Sequence, residues 1–322
     1  MNILVFSTKT LPVKNYGGTE RVVWDLVEAL HLLGHRVTLL SGKGTQCDWA
    51  RVIEYQADIP LNDQIPQDID IVHFHAKFEP IDKPYVITQH GNSSGPIDDN
   101  TIFVSKQHAE NHGGVAYVHN GLNWDNYLQP NLATKRERFH FLGKAAWRVK
   151  NVQGAIDITR KAGEQLDVLG GHRFNFKMGL RLTFDRHVCF QGMVDDRTKS
   201  QFMNASKGLV FPVTWHEPFG LAITESLFFG CPVFGTPYGS LPELVTPEVG
   251  VLSANEVDLI EAIKNVGQFN NHQCHEYARD RFNALVMAKE YVLKYEAVLN
   301  QYRLNPDLGT IISQFKRLEY NR

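Results

Sequence analysis

The sequence predicts an α/β protein of two domains, each built on a doubly wound parallel sheet. Three observations carry that prediction. At 322 residues the chain exceeds what one hydrophobic core usually organises. Its opening stretch reads strand, loop, helix, strand. Short apolar runs then recur on both sides of a single polar interruption near residue 133.

Residues 1–7 (MNILVFS) form an apolar strand-like run, followed by a loop at Tyr16, Gly17, Gly18 and Thr19. Residues 20–33 place apolar side chains at helical spacing, Gly34 ends the helix, and 36–40 (RVTLL) start a second strand. Further runs lie at 69–74, 85–89, 102–105 and 115–119, nearly continuous in apolar residues, as strands covered on both faces require. From 120 to 138 the chain turns polar around Pro130, and 139–142 (FHFL) opens a new series. Runs at 166–169, 188–190, 208–212 and 232–234 alternate with helical stretches. The expected division is an N-terminal domain over 1–132 and a C-terminal domain over 133–300. Ala288, Tyr291, Val292, Tyr295 and Leu299 follow helical spacing as packing positions. Pro306 interrupts before a last helix at 308–318, so that 301–322 form a separate terminal segment.

Composition narrows the function. With 43% hydrophobic and 21% charged residues the chain is globular. It has no run of about 18 apolar residues, and the opening MNILVF lacks the basic start of a secretory signal. The expected location is the cytoplasm, at most peripheral to the inner face of the membrane. Cys47, Cys189, Cys231 and Cys274 lie far apart without a CxxC pair, which points to reduced, mostly buried thiols. Residues 1–132 hold 9 Lys and Arg against 15 Asp and Glu, and the remainder 24 against 20. That distribution argues against nucleic acid and suits a phosphate-bearing ligand on the second half.

The most informative segment is 210–243, VFPVTWHEPFGLAITESLFFGCPVFGTPYGSLPE. Pro218 biases Glu217 away from helical geometry, so Glu217 belongs to a loop, residues 220–229 to a helix, and Glu225 about one turn inside it. The amides of Phe219, Gly220 and Leu221 then form the helix N-terminus, where partial positive charge favours a diphosphate. Two carboxylates eight positions apart can grip different ends of one ligand: Glu225 a pair of ribose hydroxyls, Glu217 the hydroxyls of a sugar. The plainer alternative makes both of them first-turn acids that complement the helix dipole.

The arrangement Glu217-x7-Glu225, with Pro218, Phe219, Gly220 and Leu221 between, then Gly230-Cys231-Pro232-Val233, Gly239 and Glu243, resembles the donor-site signature of family 4 retaining glycosyltransferases of the GT-B fold. The resemblance covers most of the chain. Gly17-Gly18 resembles the family's glycine loop, which lets backbone approach phosphates. Residues 71–75 (IVHFH) resemble its DIVHxH strand, and His90-Gly91 its histidine motif. Residues 118–123 (VHNGLN) resemble its P-N-G-V-D turn, with His119 in place of proline. Lys144, in FLGK, and Lys150 resemble the two cations that hold the diphosphate, with lysine at 144 in place of arginine and Asn151 in place of the following glycine. Leu169-Gly170-Gly171 resembles the turn near the base.

The resemblance implies two Rossmann-like domains facing a central cleft, with 301–322 crossing back to the first. It implies a hexosyltransferase-type enzyme that moves a sugar with retention, without metal, from a nucleotide diphosphate sugar, UDP-sugar slightly favoured, to a glycan, lipid-linked or small-molecule acceptor. Surface glycan, glycolipid and natural-product synthesis all fit, and no cofactor is implied. His90, Glu217, Lys144 and Lys150 are the expected catalytic residues. Gly17, Gly18, Lys144, Lys150, Pro218, Phe219, Gly220, Leu221 and Glu225 are the expected donor-binding residues. A sugar-nucleotide epimerase and a non-catalytic sugar-nucleotide-binding protein share the fold and stay open as alternatives. Asp68-Ile69-Asp70 imitates the metal motif of the other main glycosyltransferase fold, but reads as a polar entry to an apolar strand. His272, Cys274 and His275 read as a surface helix start. No metal is assigned.

Overall fold

The computed structural model describes residues 1–13, 17–176, 178, 180–308 and 318–321. The chain forms two units, Met1–Trp124 with Phe282–Gln314, and Asp125–Arg281 with Phe315–Arg322. Tyr16 and residues 309–317 of the expected last helix lie outside the described residues.

The first unit carries a six-stranded parallel sheet in the order β3-β2-β1-β4-β5-β6. Its strands are β1 (Asn2–Phe6), β2 (Arg36–Ser41), β3 (Arg51–Glu54), β4 (Ile71–Phe74), β5 (Tyr85–Gln89) and β6 (Thr101–Phe103). Ile3 is in register with Val37 on one side and Ile71 on the other, so the first apolar run is the centre of the sheet. Helix α1 (Gly18–Leu32) buries Val22, Val23, Leu26, Val27 and Leu30, a stripe at helical spacing. Helix α2 (Lys106–Asn111) is capped by the Ser105 hydroxyl, which accepts from the His108 amide.

Two expectations for this unit change. Residues 115–119 make only an isolated bridge, between Phe103 and Tyr117. The Asn305 side-chain carbonyl takes the amides of Val115 and Ala116, at 2.8 and 3.0 Å, removing them from any ladder. The sixth strand is instead β3, whose partly polar sequence does not advertise it. The unit boundary also differs from residues 132 and 300. The long helix that contains Tyr291 and Tyr295 (Ala284–Leu299, labelled α9 below) packs on α1 and β5 of the first unit. Helical spacing says that a face is buried but not against which sheet. Two buried phenols need partners, and these come from the first sheet. Tyr291 Oη meets Thr88 Oγ1 at 2.9 Å, and Tyr295 Oη meets His73 Nδ1 at 2.7 Å.

The second unit repeats the winding, in the order β11-β8-β7-β12-β13-β14. Its strands are β7 (Arg138–Leu142), β8 (Leu166–Leu169), β11 (Val188–Phe190), β12 (Ser206–Phe211), β13 (Val233–Gly235) and β14 (Gly250–Leu252). The helices are α3 (Val152–Ala162), α4 (Asp196–Asn204), α5 (Leu221–Phe228), α6 (Leu241–Leu244), α7 (Glu256–Lys264) and α8 (Asn271–Arg281). Among the described residues of this unit, one crossover has no helix. Between β8 and β11 the chain forms an antiparallel hairpin of β9 (Phe174–Asn175) and β10 (Arg181–Leu182). Residues 174–184 alternate apolar and polar with period two, and a period-two sequence cannot present one helical face.

In each sheet the connections change direction beside the first strand, between β1 and β4 and between β7 and β12. Ligands of doubly wound sheets bind at the carboxyl ends of the strands at this switch. None of the described helices is long and apolar enough to cross a membrane. All four cysteines are free, but only Cys231 and Cys274 are buried; Cys189, on the edge strand β11, is exposed.

Candidate active site

Lys144, Lys150 and Glu217 all come from loops that leave the carboxyl ends of β7 and β12, the switch point of the second sheet. The loop after β7 runs against the loop after β8. A Cβ on Gly170 would lie 2.3 Å from the Gly143 carbonyl oxygen, so glycine is required there for close approach. Lys144 follows Gly143 and is exposed, its Nζ 5.3 Å from the Trp147 ring. A 3-10 turn, Arg148–Lys150, then presents Lys150. Asn151 sits in the left-handed region at φ 53°, ψ 48° and caps α3 by accepting from the Gly154 amide. Asparagine tolerates that conformation better than most residues. That accounts for Asn151 at the position where the resembled motif has glycine, with a capping bond gained.

Glu217 is 6% exposed and held on two sides. Lys150 Nζ donates to its Oε2 at 2.6 Å and Trp215 Nε1 donates to the same oxygen at 2.8 Å. Lys150 also stands 5.3 Å from the Phe211 ring and 5.1 Å from Trp215, so its charge is flanked by aromatic faces. The loop is pinned from behind. Ser240 donates its amide to the Glu217 carbonyl at 2.9 Å and its hydroxyl to the Phe219 carbonyl at 2.5 Å. Gly239 has φ +61°, and a Cβ there would lie 2.3 Å from both the Glu217 nitrogen and its carbonyl oxygen. Both conformation and contact exclude a side chain.

Helix α5 begins at Leu221 behind Gly220, which is left-handed at φ 89°, ψ 69°. Pro218 and Phe219 are buried beside it. The first turn of α5 holds no acid. Glu217 lies ahead of the helix and Glu225 in its second turn, so neither is a first-turn acid. The helix start remains a positive pole bounded by two carboxylates. Glu225, also 6% exposed, accepts from Lys199 Nζ at 2.5 Å and from Tyr127 Oη at 2.8 Å, both on Oε1. Lys199 is itself 8% exposed and lies 3.1 Å from Asp196.

The remaining expected residues belong to the first unit. Gly17 is the N-cap of α1 and Gly18 its first residue. A Cβ on Gly17 would meet Glu20 Oε2 at 2.8 Å, so an acid stands over this helix start. His90 follows β5, and its Nε2 lies 2.8 Å from His75 Nδ1. Burial pushes His90 down to about 4, which keeps the ring neutral near pH 7. His73, fully buried on β4, is pushed well down by burial and then by the charge of His90. It bonds Tyr295 at one nitrogen and Thr88 at the other, at 2.7 Å each.

The structure thus joins Lys150 to Glu217, sets Pro218, Phe219, Gly220 and Leu221 between the two glutamates, and gives Glu225 a cation of its own. Lys144, on the same loop as Lys150, is exposed beside Trp147. Trp215, Lys199 and Tyr127 carry no expectation from the sequence, and His75 enters there only within the 71–75 strand. Trp215 is two residues from Glu217 and could have been included, but a lysine or tyrosine contributed from elsewhere in the chain leaves no local signal. Asp70 Oδ2 accepts the Asn2 amide at 2.7 Å, as a strand entry does. His275 Nδ1 meets the Phe228 carbonyl at 2.5 Å, and Cys274 is buried in α8. The expected surface helix start is thus partly buried, at Cys274.

Residues 128–281, almost all of the second unit, match the family model described as Glycosyl transferases group 1. A curated relative, an uncharacterized 41.2 kDa protein in the cps region of Klebsiella pneumoniae, is 25% identical over 118 residues, 34% of this chain and 33% of the relative. The chain therefore spans about a third of the length of that relative. Among solved structures, AviGT4, a glycosyltransferase involved in avilamycin A biosynthesis, superposes with TM-score 0.76 at 18% identity, covering 93% of this chain and 98% of that one. Sucrose-phosphate synthase from Thermosynechococcus elongatus gives 0.67 at 18%, over 93% and 99%. HepE of Anabaena, solved with UDP and glucose, gives 0.62 at 15%, over 92% and 100%. These similarities show a GT-B fold of two Rossmann-like domains.

Proposed function

We propose that this chain is a glycosyltransferase that takes a sugar from a nucleotide diphosphate sugar. One observation carries the reading. An acid-free start of α5 lies between two buried carboxylates, Glu217 and Glu225, each held by a lysine, within the segment that matches the group 1 family. A nucleotide sugar has the same order of groups, with hydroxyls at the ribose and at the sugar and two phosphates between. Glu225 suits the ribose hydroxyls, Glu217 those of the sugar, and the amides of Phe219, Gly220 and Leu221 the diphosphate.

In the reaction the bond between the anomeric carbon and the phosphate oxygen breaks, and the acceptor hydroxyl oxygen bonds to that carbon. The acceptor proton leaves, and a nucleoside diphosphate departs. Negative charge grows on the leaving phosphate, where Lys144, Lys150 and the helix start supply compensation without need of a metal. His90, neutral and bonded to His75, is the histidine to which the family resemblance gives a role toward the sugar. Retention at the anomeric carbon, the hexosyl donor and the synthesis of a glycan, glycolipid or natural product follow from the family resemblance.

The test is thermal unfolding against UDP-, GDP-, ADP-, CDP- and dTDP-sugars in the presence of a chelator, followed by product analysis. A ligand at about 100 times its dissociation constant adds about 2.7 kcal/mol. The expected result is stabilisation by one base, and release of that nucleoside diphosphate only when an acceptor is added. Conversion of the donor alone to an isomer would replace transfer by epimerisation. Binding without release to any acceptor would replace it by a sensing role.

A further inference from the structure

The second carboxylate of the candidate site is loaded on one oxygen only. Glu225 Oε1 accepts from both Lys199 Nζ, at 2.5 Å, and Tyr127 Oη, at 2.8 Å. Glu225 Oε2 has no partner among the described residues, although the residue is only 6% exposed. An unsatisfied oxygen on a nearly buried carboxylate costs stability. A fold that needed only to satisfy Glu225 would divide the two donors between the two oxygens, and this one does not.

Both donors are held from elsewhere in the same unit. Lys199 is the fourth residue of α4, whose start is capped by Asp195 accepting from the Thr198 amide. Its ammonium also lies 3.1 Å from Asp196 and 5.7 Å from the centre of the Tyr127 ring. That ring stands 6.1 Å from the ring of Phe228, one turn beyond Glu225 on α5, so the ring and hydroxyl of Tyr127 follow one face of the helix. The loading of Oε1 is therefore built by two elements that pack on α5 independently.

Each oxygen of a carboxylate can accept two donors, so Lys199 and Tyr127 fill Oε1. A ribose presents two hydroxyls on neighbouring carbons, and a carboxylate grips both when each oxygen accepts one. With Oε1 filled, that arrangement is closed. The lone pairs of Oε2 diverge while the two hydroxyls stand side by side, so Oε2 can make one well-aligned bond to the pair. We infer that Lys199 and Tyr127 are positioning residues that restrict Glu225 to one ribose hydroxyl, and that the donor class includes nucleotides lacking the other. The inference rests on the assignment of Glu225 to the ribose proposed above. A site rejects an analogue strongly when the missing hydroxyl strands a buried acceptor. Here the absence of the second hydroxyl strands none.

The experiment is titration calorimetry of the full chain with ADP, CDP, GDP, UDP and 5-methyl-UDP, each beside its 2′-deoxy and 3′-deoxy analogues. For the base that binds, the expected result is one analogue within about twofold of the parent and the other weaker by at least about tenfold, the loss of one charge-assisted bond. Tyr127→Phe keeps the ring and the Lys199 pair but opens one side of Oε1. The parent should then bind at least about fivefold tighter than the analogue that the native chain tolerates. A merely structural defect would move parent and analogue together. Equal losses with both analogues, or a ratio of parent to tolerated analogue that Tyr127→Phe leaves unchanged, overturn the restriction and leave Glu225 on the ribose. Two analogues that both bind like the parent remove Glu225 from the ribose, and binding of none of the diphosphates fails the nucleotide reading itself. Either of these results overturns the inference as well.

Discussion

Lys150 Nζ lies 2.6 Å from Glu217 Oε2, with the two side chains 13% and 7% exposed. The cation suited to a diphosphate and the acid suited to a sugar are thus one buried ion pair. The pairing keeps two charged groups at the switch point without a ligand and leaves both to be redistributed when one arrives. Removing one partner strands the other, which costs about 3–5 kcal/mol for a buried pair. Lys150→Met should therefore lower stability by that order, and Lys150→Met/Glu217→Leu should recover most of it. Urea midpoints of the two single variants and the double decide this. Additive losses would mean that the pair does not stabilise the fold.

Glu225 makes a second such pair, with Lys199. Glu225→Gln should weaken donor binding by about tenfold or more, the loss of charge-assisted bonds worth about 1.5–3 kcal/mol. Stability and binding can be separated with Lys199→Met/Glu225→Gln, which removes the stranded cation but not the binding defect. A double variant that binds donor like the native chain would remove Glu225 from the ribose.

Gly239 has no room for a side chain against the Glu217 backbone. Gly239→Ala combines strain at positive φ, about 1–3 kcal/mol, with a clash against two backbone atoms. The loop has to move, so donor affinity should fall together with stability, and the fluorescence of Trp215 should change. An unaltered Trp215 environment in a stable Gly239→Ala protein would contradict the packing.

Stability should fall as pH drops below about 6.5. His140 is 1% exposed between Ser206 and Ser226, and burial, then Arg136, pushes it down to about 3. A base whose folded pKa lies below its unfolded value is protonated mainly by the unfolded chain. Its contribution is complete above about 6.5 and is lost from there down to about 3. At pH 5 that is about 2 kcal/mol for His140 alone, with His108, also pushed to about 3 by burial, adding in the same direction. His140→Gln keeps groups able to bond both serines and should flatten the dependence of the urea midpoint on pH between 7.5 and 5. An unchanged slope would place the proton uptake elsewhere.

Much of the second unit was legible because its signals are local. The Pro218 boundary, the helix start at Gly220 and the placement of Glu225 follow from neighbouring residues, and each lies where those neighbours put it. The partners of the same groups were not legible. Lys199 reads as a surface residue of α4, and Tyr127 as part of a polar linker. Both are fixed by where α5 packs. In the first unit the run 115–119 has the composition of a strand, yet Asn305, 190 positions from Val115, takes its amides.

By itself the sequence determined the alternation of strands and helices, the two parallel windings and the motif loops, because apolar periodicity and proline and glycine geometry act over a few residues. The tertiary structure decided which unit receives α9 and how Lys150 and Lys199 are divided between Glu217 and Glu225. Each of these depends on burial and hydrogen-bond satisfaction between groups far apart in the chain, and those energies exist only once the sheets have formed.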